Sequence, residues 1–197
     1  MNQELISGIL FRPAEKADCR TIAQLYSISS DGISDYIWTK LAETGEDIID
    51  VGQRRYEQED SVFSYKNCTV ALSGEQIIGM LVAFPLFTGV GEAVDEIDPV
   101  LAPYSRLEED NSYYICSMSV LPEFRGQGIG QTFLAIADQQ AMEQDLEKLS
   151  LIVMEENEGA LRLYLKHGYR EVAREDVVSH PLIRCSGSAM LMVKHIG

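Results

Sequence analysis

A glycine-rich segment at residues 120–130 combines residue types that suit phosphate binding. It reads Val-Leu-Pro-Glu-Phe-Arg-Gly-Gln-Gly-Ile-Gly and directly follows a run of apolar residues. Glycines let the backbone approach a bulky anion closely, and successive N–H groups at the start of a helix then face that anion. The arginine adds a cation to the same turn. The segment therefore predicts a pyrophosphate cradle that consists of Arg125, Gly126, Gln127, Gly128, Ile129 and Gly130.

Two other phosphate motifs fit this segment poorly. A Walker loop needs a lysine and a serine or threonine after its last glycine, and no lysine follows here. The dinucleotide fingerprint needs the spacing G-x-G-x-x-G, whereas the spacing here is Gly126-x-Gly128-x-Gly130. A tight strand-to-helix turn without a ligand is the remaining alternative. The arginine, the proline and the preceding strand pattern favour the anion site over that turn.

A second segment whose residues could take part in catalysis begins at Asn157. Asparagine is a preferred cap for the start of a helix, and the residues after Asn157 have helical spacing. Tyr164 lies seven residues further on, two turns along the same face. A tyrosine on an apolar helix face is usually a core residue, so the chemical interpretation of Tyr164 depends on the glycine-rich segment.

The hydrophobic pattern places both segments within alternating strands and helices. It predicts strands at Tyr113–Val120 and Leu149–Met154, with helices at Gly128–Leu149 and Asn157–His167. An opening strand, two helices and a hairpin precede this region, and two strands follow it. The second hairpin strand is expected to end before Pro85. The order predicts an α+β fold with a mixed sheet.

Together these segments resemble the GNAT superfamily of acyl-CoA N-acyltransferases. Arg125 to Gly130 match the family pattern Arg/Gln-x-x-Gly-x-Gly/Ala, and Asn157 to Tyr169 match Asn-x-x-Ala-x-x-x-Tyr-x-x-x-Gly-Phe/Tyr. The match is specific over residues 112–170, and the N-terminal half agrees only in element order. The resemblance implies a mixed, mostly antiparallel sheet with helices on both faces and a splayed central strand pair. The length of 197 residues predicts a single domain over residues 1–197.

The resemblance also assigns roles to particular residues. Backbone groups of Met118, Ser119 and Val120 are expected to bind the pantetheine arm of acetyl-CoA, and the cradle binds its pyrophosphate. Asn157 is expected to contact the pantetheine or to shape its exit. Tyr164 is expected to protonate the leaving CoA thiolate, which makes chemical sense because a phenol can donate to a thiolate of pKa near 8.5.

A general base for the attacking amine is missing from the expected strand. An alkylammonium ion must lose a proton before it attacks, because its pKa is near 10.4. Many family members carry a carboxylate on the central strand, where this chain has Cys116 and Ser117. A water chain that ends on another carboxylate is the alternative, with Glu155 or Glu156 as candidates.

The family's substrate pocket is built partly by the loop between the first two helices. That loop corresponds here to residues 31–38, in which Asp35 is a candidate to meet a cation and Tyr36 to line the pocket. Ser117 on the central strand is a third candidate substrate contact. The alternative role of the aromatic residues Tyr36 and Trp38 is to pack the helices against each other.

Composition narrows the range of partners. The formal net charge is −15, from 31 acidic and 16 basic residues, and no basic patch is present, so nucleic acid is an unexpected partner. An acidic field attracts amines, or it simply confers solubility. The scattered cysteines and histidines predict no metal site. Neither a signal peptide nor a membrane-spanning run is evident, so a cytoplasmic location is expected.

These features predict an N-acetyltransferase that transfers an acetyl group from acetyl-CoA to a primary amine. The acceptor is a small molecule or a protein amino group, and the family's habit of pairing makes a homodimer an open expectation. A non-catalytic acyl-CoA sensor is the alternative of another class. A different enzyme with a phosphate-containing ligand is the third.

Overall fold

The computed structural model describes residues 4–6, 8–87 and 98–197. Backbone contacts divide the chain into two compact units. Unit 1 takes residues 1–83 and 117–133, and unit 2 takes residues 84–116 and 134–197. Each unit therefore combines an N-terminal and a C-terminal segment, so its core depends on residues far apart in the chain.

Unit 1 contains an antiparallel set of strands and three helices. The strand order is β1-β2-β3-β4, with antiparallel pairing throughout. The strands are β1 (Glu4–Ile6), β2 (Ile9–Pro13), β3 (Cys68–Ser73) and β4 (Gln76–Leu86), whose last three residues belong to unit 2. The helices are α1 (Cys19–Ser29), α2 (Ile33–Leu41) and α3 (Ile48–Tyr56).

Aromatic side chains hold the three helices of unit 1 together. The ring of Tyr26 on α1 lies 5.9 Å from that of Trp38 on α2 and 5.9 Å from that of Tyr56 on α3. Trp38 is only 2% exposed, and a Cβ at Gly52 of α3 would lie 2.6 Å from its ring. Trp38 is thus a core residue, and the glycine leaves the space that its indole needs.

Unit 2 contains the remaining strands and helices. Its strand order is β5-β6-β8-β7. The elements are α4 (Ala102–Arg106), β5 (Ser112–Val120), α5 (Ile129–Glu143), β6 (Lys148–Met154), α6 (Glu158–Lys166), β7 (Arg170–Asp176) and β8 (Ser188–His195). Four residues of β5 and the first five of α5 belong to unit 1.

The pairing in unit 2 is mixed. β5 and β6 are parallel, with partners from Tyr113–Leu149 to Ile115–Leu151, and both strands continue beyond this short ladder. β6 with β8, and β7 with β8, are antiparallel. The prediction of an α+β fold with a mixed, mostly antiparallel sheet is confirmed.

Several element boundaries differ from the predicted ones. β4 continues through Pro85, because a proline removes only its own N–H from a ladder. α5 ends at Glu143, six residues early, and Asp145 then adopts a left-handed conformation. The connection between β4 and β5 contains α4, and its residues 88–97 lie outside the described part. In the described ranges, each helix is too short or too polar to cross a bilayer.

Gly79 on β4 permits a close approach of two backbone segments within unit 1. A Cβ at this position would lie 2.8 Å from the carbonyl oxygen of Ser119 and 3.5 Å from the Cα of Val120. Because a backbone oxygen cannot swing aside as a flexible side chain can, any larger residue must displace the end of β5. Gly79 therefore fixes the position of the backbone from which the glycine-rich turn leaves.

We expect Gly79→Ala to lower the free energy of unfolding by about 1–3 kcal/mol, the usual cost of overpacking. Chemical denaturation followed by circular dichroism measures the change. Gly159→Ala is the control, because a Cβ there has only the Asn157 Oδ1 atom at 3.9 Å and lies in a helix. If both variants were equally stable, the close approach at Gly79 would not be a constraint.

Candidate active site

The turn after β5 is anchored by backbone hydrogen bonds within unit 1. The N–H of Leu121 donates to the carbonyl of Ile78 on β4 at 2.9 Å, which marks the end of β5. A 3-10 turn at Pro122–Phe124 follows, and the N–H of Arg125 donates to the carbonyl of Pro122 at 3.2 Å. The chain thus enters the cradle from a fixed position.

Two glycines of the cradle have conformations that favour glycine. Gly126 and Gly128 have φ of +77° and +86°, in the left-handed region where a side chain is strained. A Cβ at either glycine would meet nothing within 4 Å, so the space above this backbone is open. α5 then begins at Ile129, whose buried side chain fixes the helix start. The first N–H groups of a helix have no acceptor inside it, and they carry the positive end of its dipole.

Arg125 supports the cradle and also adds a cation. Its Nε donates to the carbonyl of Val120 at 3.0 Å, which ties the side chain to the end of β5, and the residue is otherwise exposed. On β5, Met118 and Val120 are half-buried, whereas Ser119 is buried. The backbone of this strand segment and the cradle therefore form one continuous stretch of unit 1.

Serine hydroxyls surround the carboxylate of Asp35 at the junction of α1 and α2. Ser27 donates to Asp35 Oδ1 at 2.6 Å and Ser34 donates to the same atom at 3.1 Å. Ser30 Oγ lies 2.7 Å from Ser34 Oγ, so the four side chains are connected. Asp35 is 9% exposed, and donated hydrogen bonds stabilise its charged form.

A second hydroxyl pair connects α1 to β5 within unit 1. Ser29 Oγ and Ser117 Oγ are 2.8 Å apart, and Ser29 Oγ also donates to the carbonyl of Tyr26 at 3.2 Å. Tyr36, also predicted to line the pocket, is half-buried, and the Lys40 ammonium lies 5.2 Å from the centre of its ring. Ser117 thus contacts the last residue of α1, next to the α1–α2 junction that contains Asp35.

A cavity of about 840 Å³ lies in unit 1 beside α1. Its described lining includes the carboxylates of Asp18 and Glu75 and contains no lysine, arginine or histidine, so it does not suit an anion. Asp18 is already paired with Arg12, at 2.7 Å between Nη1 and Oδ2. The residues that line the cavity are Asp18, Thr21, Gln24, Leu25, Ser27, Ile28, Ile49, Glu75, Gln76, Ile77 and Leu121.

The predicted residues of unit 2 lie on and before α6. Asn157 is the N-cap of this helix, because its Oδ1 accepts from the N–H of Ala160 at 3.1 Å. Tyr164 is 7% exposed and its ring packs on that of Tyr169, 5.7 Å away. Burial raises the pKa of Tyr164 to about 12, so its phenol is protonated throughout the neutral range.

The two candidate base carboxylates of unit 2 have structural partners. Glu155 Oε1 accepts from the N–H of Ser188 at 3.0 Å, and Glu156 Oε1 accepts from the hydroxyl of Ser186 at 2.6 Å. Glu155 is also 3.5 Å from Arg174. Both carboxylates thus hold the turn before β8, and these contacts make neither a stronger candidate for the base.

Sequence reasoning missed the serine network at the end of α1. Ser27, Ser29 and Ser30 occupy the last turn of a helix, where serine is a poor helix former. The clustering of these serines in the sequence could have indicated the network. In the part of the chain that the structure describes, no group of three or more His, Cys, Asp or Glu side chains is arranged to hold a metal ion.

Comparison with known proteins is consistent with this geometry. Residues 34–169 match the acetyltransferase (GNAT) family. An uncharacterized N-acetyltransferase, YdgE of Bacillus subtilis, is 38% identical over 63 residues, which are 32% of this chain and 40% of YdgE. This chain therefore matches less than half the length of that relative.

Solved structures of acetyltransferases share the fold. One acetyltransferase superposes with a TM-score of 0.66 at 22% identity, over 95% of this chain and all of that one. The putative acetyltransferase yncA of Salmonella typhimurium, solved with acetyl-CoA, gives 0.63 at 17% identity, over 97% and 95% of the two chains. The family match covers well over half of the sequence, including the cradle and α6, and the chain therefore belongs to the acetyltransferase (GNAT) family.

Proposed function

We propose that this protein transfers an acetyl group from acetyl-CoA to a primary amine, which is a small molecule or a protein amino group. The observation that carries the proposal is the cradle, in which left-handed Gly126 and Gly128 lead into the start of α5. Such a turn presents backbone N–H groups to a pyrophosphate. Family membership and the acetyl-CoA bound to yncA support acetyl-CoA as the donor.

The backbone beside the cradle has further roles in this proposal. Amides from Arg125 to Gly130 bind the pyrophosphate, and the exposed guanidinium of Arg125 adds charge. Met118, Ser119 and Val120 bind the pantetheine arm through their backbone groups. A backbone N–H near Val120 stabilises the carbonyl oxygen as negative charge develops on it. Asn157 contacts the pantetheine or shapes its exit, in addition to capping α6.

Tyr164 is the proposed general acid. The amine nitrogen bonds to the thioester carbon, the carbon–sulfur bond breaks, and the phenol donates its proton to the departing sulfur. With a pKa of about 12, the phenol is a weaker acid than a CoA thiol of pKa near 8.5. The resulting phenoxide therefore takes up the proton of the adduct's ammonium nitrogen at once. Tyr164 ends protonated, and the products are an amide and the CoA thiol.

The acceptor site in this proposal is the junction of α1 and α2. Asp35 attracts the ammonium group of the acceptor, since serine hydroxyls stabilise its negative charge. Tyr36 and Ser117 contact the same substrate. The net charge of −15 raises the local concentration of cationic amines. Because Cys116 and Ser117 replace the usual carboxylate, the bound ammonium group loses its proton through a water chain that ends on another carboxylate.

A non-catalytic acyl-CoA sensor is the second candidate, and the missing strand carboxylate at residues 116 and 117 favours it. A buried tyrosine retained at position 164 favours catalysis. Release of CoA from acetyl-CoA in the presence of a panel of amines distinguishes the two functions. A single domain over residues 1–197, a cytoplasmic location and a homodimer also remain proposals.

Acetyl-CoA at about 100 times its Kd is expected to stabilise the protein by roughly 2.7 kcal/mol, with ATP and NAD as controls. Gly128→Ala is expected to weaken binding about tenfold, because it strains a left-handed residue within the cradle. Thermal unfolding and titration calorimetry measure both effects. Gly45→Ala is the matched control, since Gly45 has φ of +82° and equally open space, but lies outside the cradle. An equal loss in both variants would contradict the cradle assignment.

Tyr164→Phe is expected to lower kcat by about 10²-fold, the typical contribution of a general acid, with little change in acetyl-CoA affinity. In the wild type, the rate should rise with pH as the amine deprotonates and should show no fall below pH 11, because the Tyr164 pKa is about 12. Thiol release measured from pH 6 to 11 tests both points. A descending limb near pH 9 that vanishes in the variant would contradict the raised pKa.

Asp35→Asn is expected to raise KM for a cationic amine about tenfold, close to the 1.5–3 kcal/mol attributed to charged hydrogen bonds. The affinity for acetyl-CoA should not change. Asp50→Asn is the control for net charge, because Asp50 is half-exposed and pairs with Arg20 on the surface. If the two variants raised KM equally, the acidic field of the protein and not Asp35 would attract the acceptor.

A further inference from the structure

An ion pair in unit 2 links α5 to β8. Lys194 Nζ lies 2.5 Å from Asp138 Oδ2, and the two side chains are only 17% and 24% exposed. A charge removed from water is costly unless its partner is well placed, and losing one partner of such a pair is more costly still. The Lys194 ammonium is therefore held at a defined position.

Lys194 extends this link to the end of α6. Its Cγ and Cε lie 3.9 Å from the point where a Cβ of Gly168 would be, so the aliphatic stem follows the backbone of that glycine. Its ammonium lies 5.9 Å from the centre of the Tyr169 ring, within the range of a cation–π contact. The charge fixed by Asp138 thus acts on the face of Tyr169.

Tyr169 in turn contacts Tyr164. Tyr169 is fully buried, its ring centroid is 5.7 Å from that of Tyr164, and the two ring planes are inclined by 58°. The N–H of Tyr169 also donates to the carbonyl of Tyr164 at 3.1 Å. Side chain and backbone of Tyr169 therefore both constrain the residue proposed as the general acid.

The buried polar groups of this cluster lower the stability of the fold. Within the described residues, the Tyr169 hydroxyl and Asp138 Oδ1 are buried and have no hydrogen-bond partner. A buried polar atom without a partner destabilises the fold, and an apolar core of the same shape is often more stable. Stability alone therefore does not account for this cluster of an aspartate, a lysine and a tyrosine next to Tyr164.

We propose that Asp138, Lys194 and Tyr169 are positioning residues that hold the Tyr164 ring in its reactive orientation. This inference rests on the proposed function. Asp138 places the ammonium, the ammonium and the stem of Lys194 hold the Tyr169 ring, and that ring supports Tyr164. None of the three residues needs to touch the substrate.

Lys194→Met is the principal test, because methionine keeps much of the aliphatic stem and removes the ammonium. We expect kcat to fall about tenfold, since small misplacements of a reacting group can cost up to 10²-fold, with KM for acetyl-CoA within about twofold. Lys194→Arg should recover most of the loss, because it keeps the cation beside Asp138. Lys66→Met is the control, since Lys66 is half-exposed and pairs with Glu59 on the surface of unit 1.

A double-mutant cycle with Tyr164→Phe separates positioning from general damage. If Lys194 acts through the Tyr164 hydroxyl, Lys194→Met should lower the residual kcat of Tyr164→Phe by less than about twofold. A tenfold loss in both backgrounds would overturn the proposal. Should Lys194→Met fail to fold, Asp138→Leu with Lys194→Met replaces the pair by apolar side chains and the same cycle applies.

A measurement without turnover keeps this inference distinct from the proposed function. In protein labelled with ¹³Cζ-tyrosine, the Tyr164 resonance is assigned by its absence in Tyr164→Phe. Lys194→Met should shift or broaden that resonance, and Lys66→Met should leave it unchanged. An unchanged Tyr164 resonance in Lys194→Met would overturn the positioning network, whereas absent turnover in the wild type would overturn only the proposed acetyl transfer.

Discussion

The left-handed turn between β5 and α5 is the constraint on which the proposed activity depends. Gly126 and Gly128 adopt backbone conformations that strain other residues, and this brings an exposed backbone to the start of a helix. The position of the turn is set before it begins, because Gly79 lets β4 lie against Ser119 and Ile78 accepts the N–H of Leu121. A few backbone contacts thus fix the position of the proposed anion site.

This arrangement suits a strongly acidic protein. With a net charge of −15, the overall field of the protein repels a pyrophosphate. Binding of a pyrophosphate would therefore depend on short-range groups at the site. Backbone N–H groups and the positive end of a helix act only over such short distances. Arg125 adds one cation, held by the carbonyl of Val120. An acidic field attracts amines, so in the proposed function long-range charge attracts the acceptor, whereas short-range groups bind the donor.

Two buried groups of the proposed site differ in their hydrogen bonding. The carboxylate of Asp35 is 9% exposed and accepts hydrogen bonds from Ser27 and Ser34, which favour the charged form of a carboxyl group. The phenol of Tyr164 is similarly buried without such donors, and its pKa rises to about 12. In the proposed mechanism the first group attracts an ammonium ion and the second donates a proton to sulfur.

The sequence alone determined the family, the α+β class, the glycine-rich turn before α5 and the cap at Asn157, because glycine, asparagine and apolar spacing act locally. It did not determine the length of α5 or the continuation of β4 through Pro85, since packing sets where elements end. The serine network around Asp35 and the contact between Lys194 and Asp138, 56 residues apart, emerged only from the tertiary structure. Such contacts form only when the chain folds, and hydrophobic periodicity does not indicate which side chains will meet.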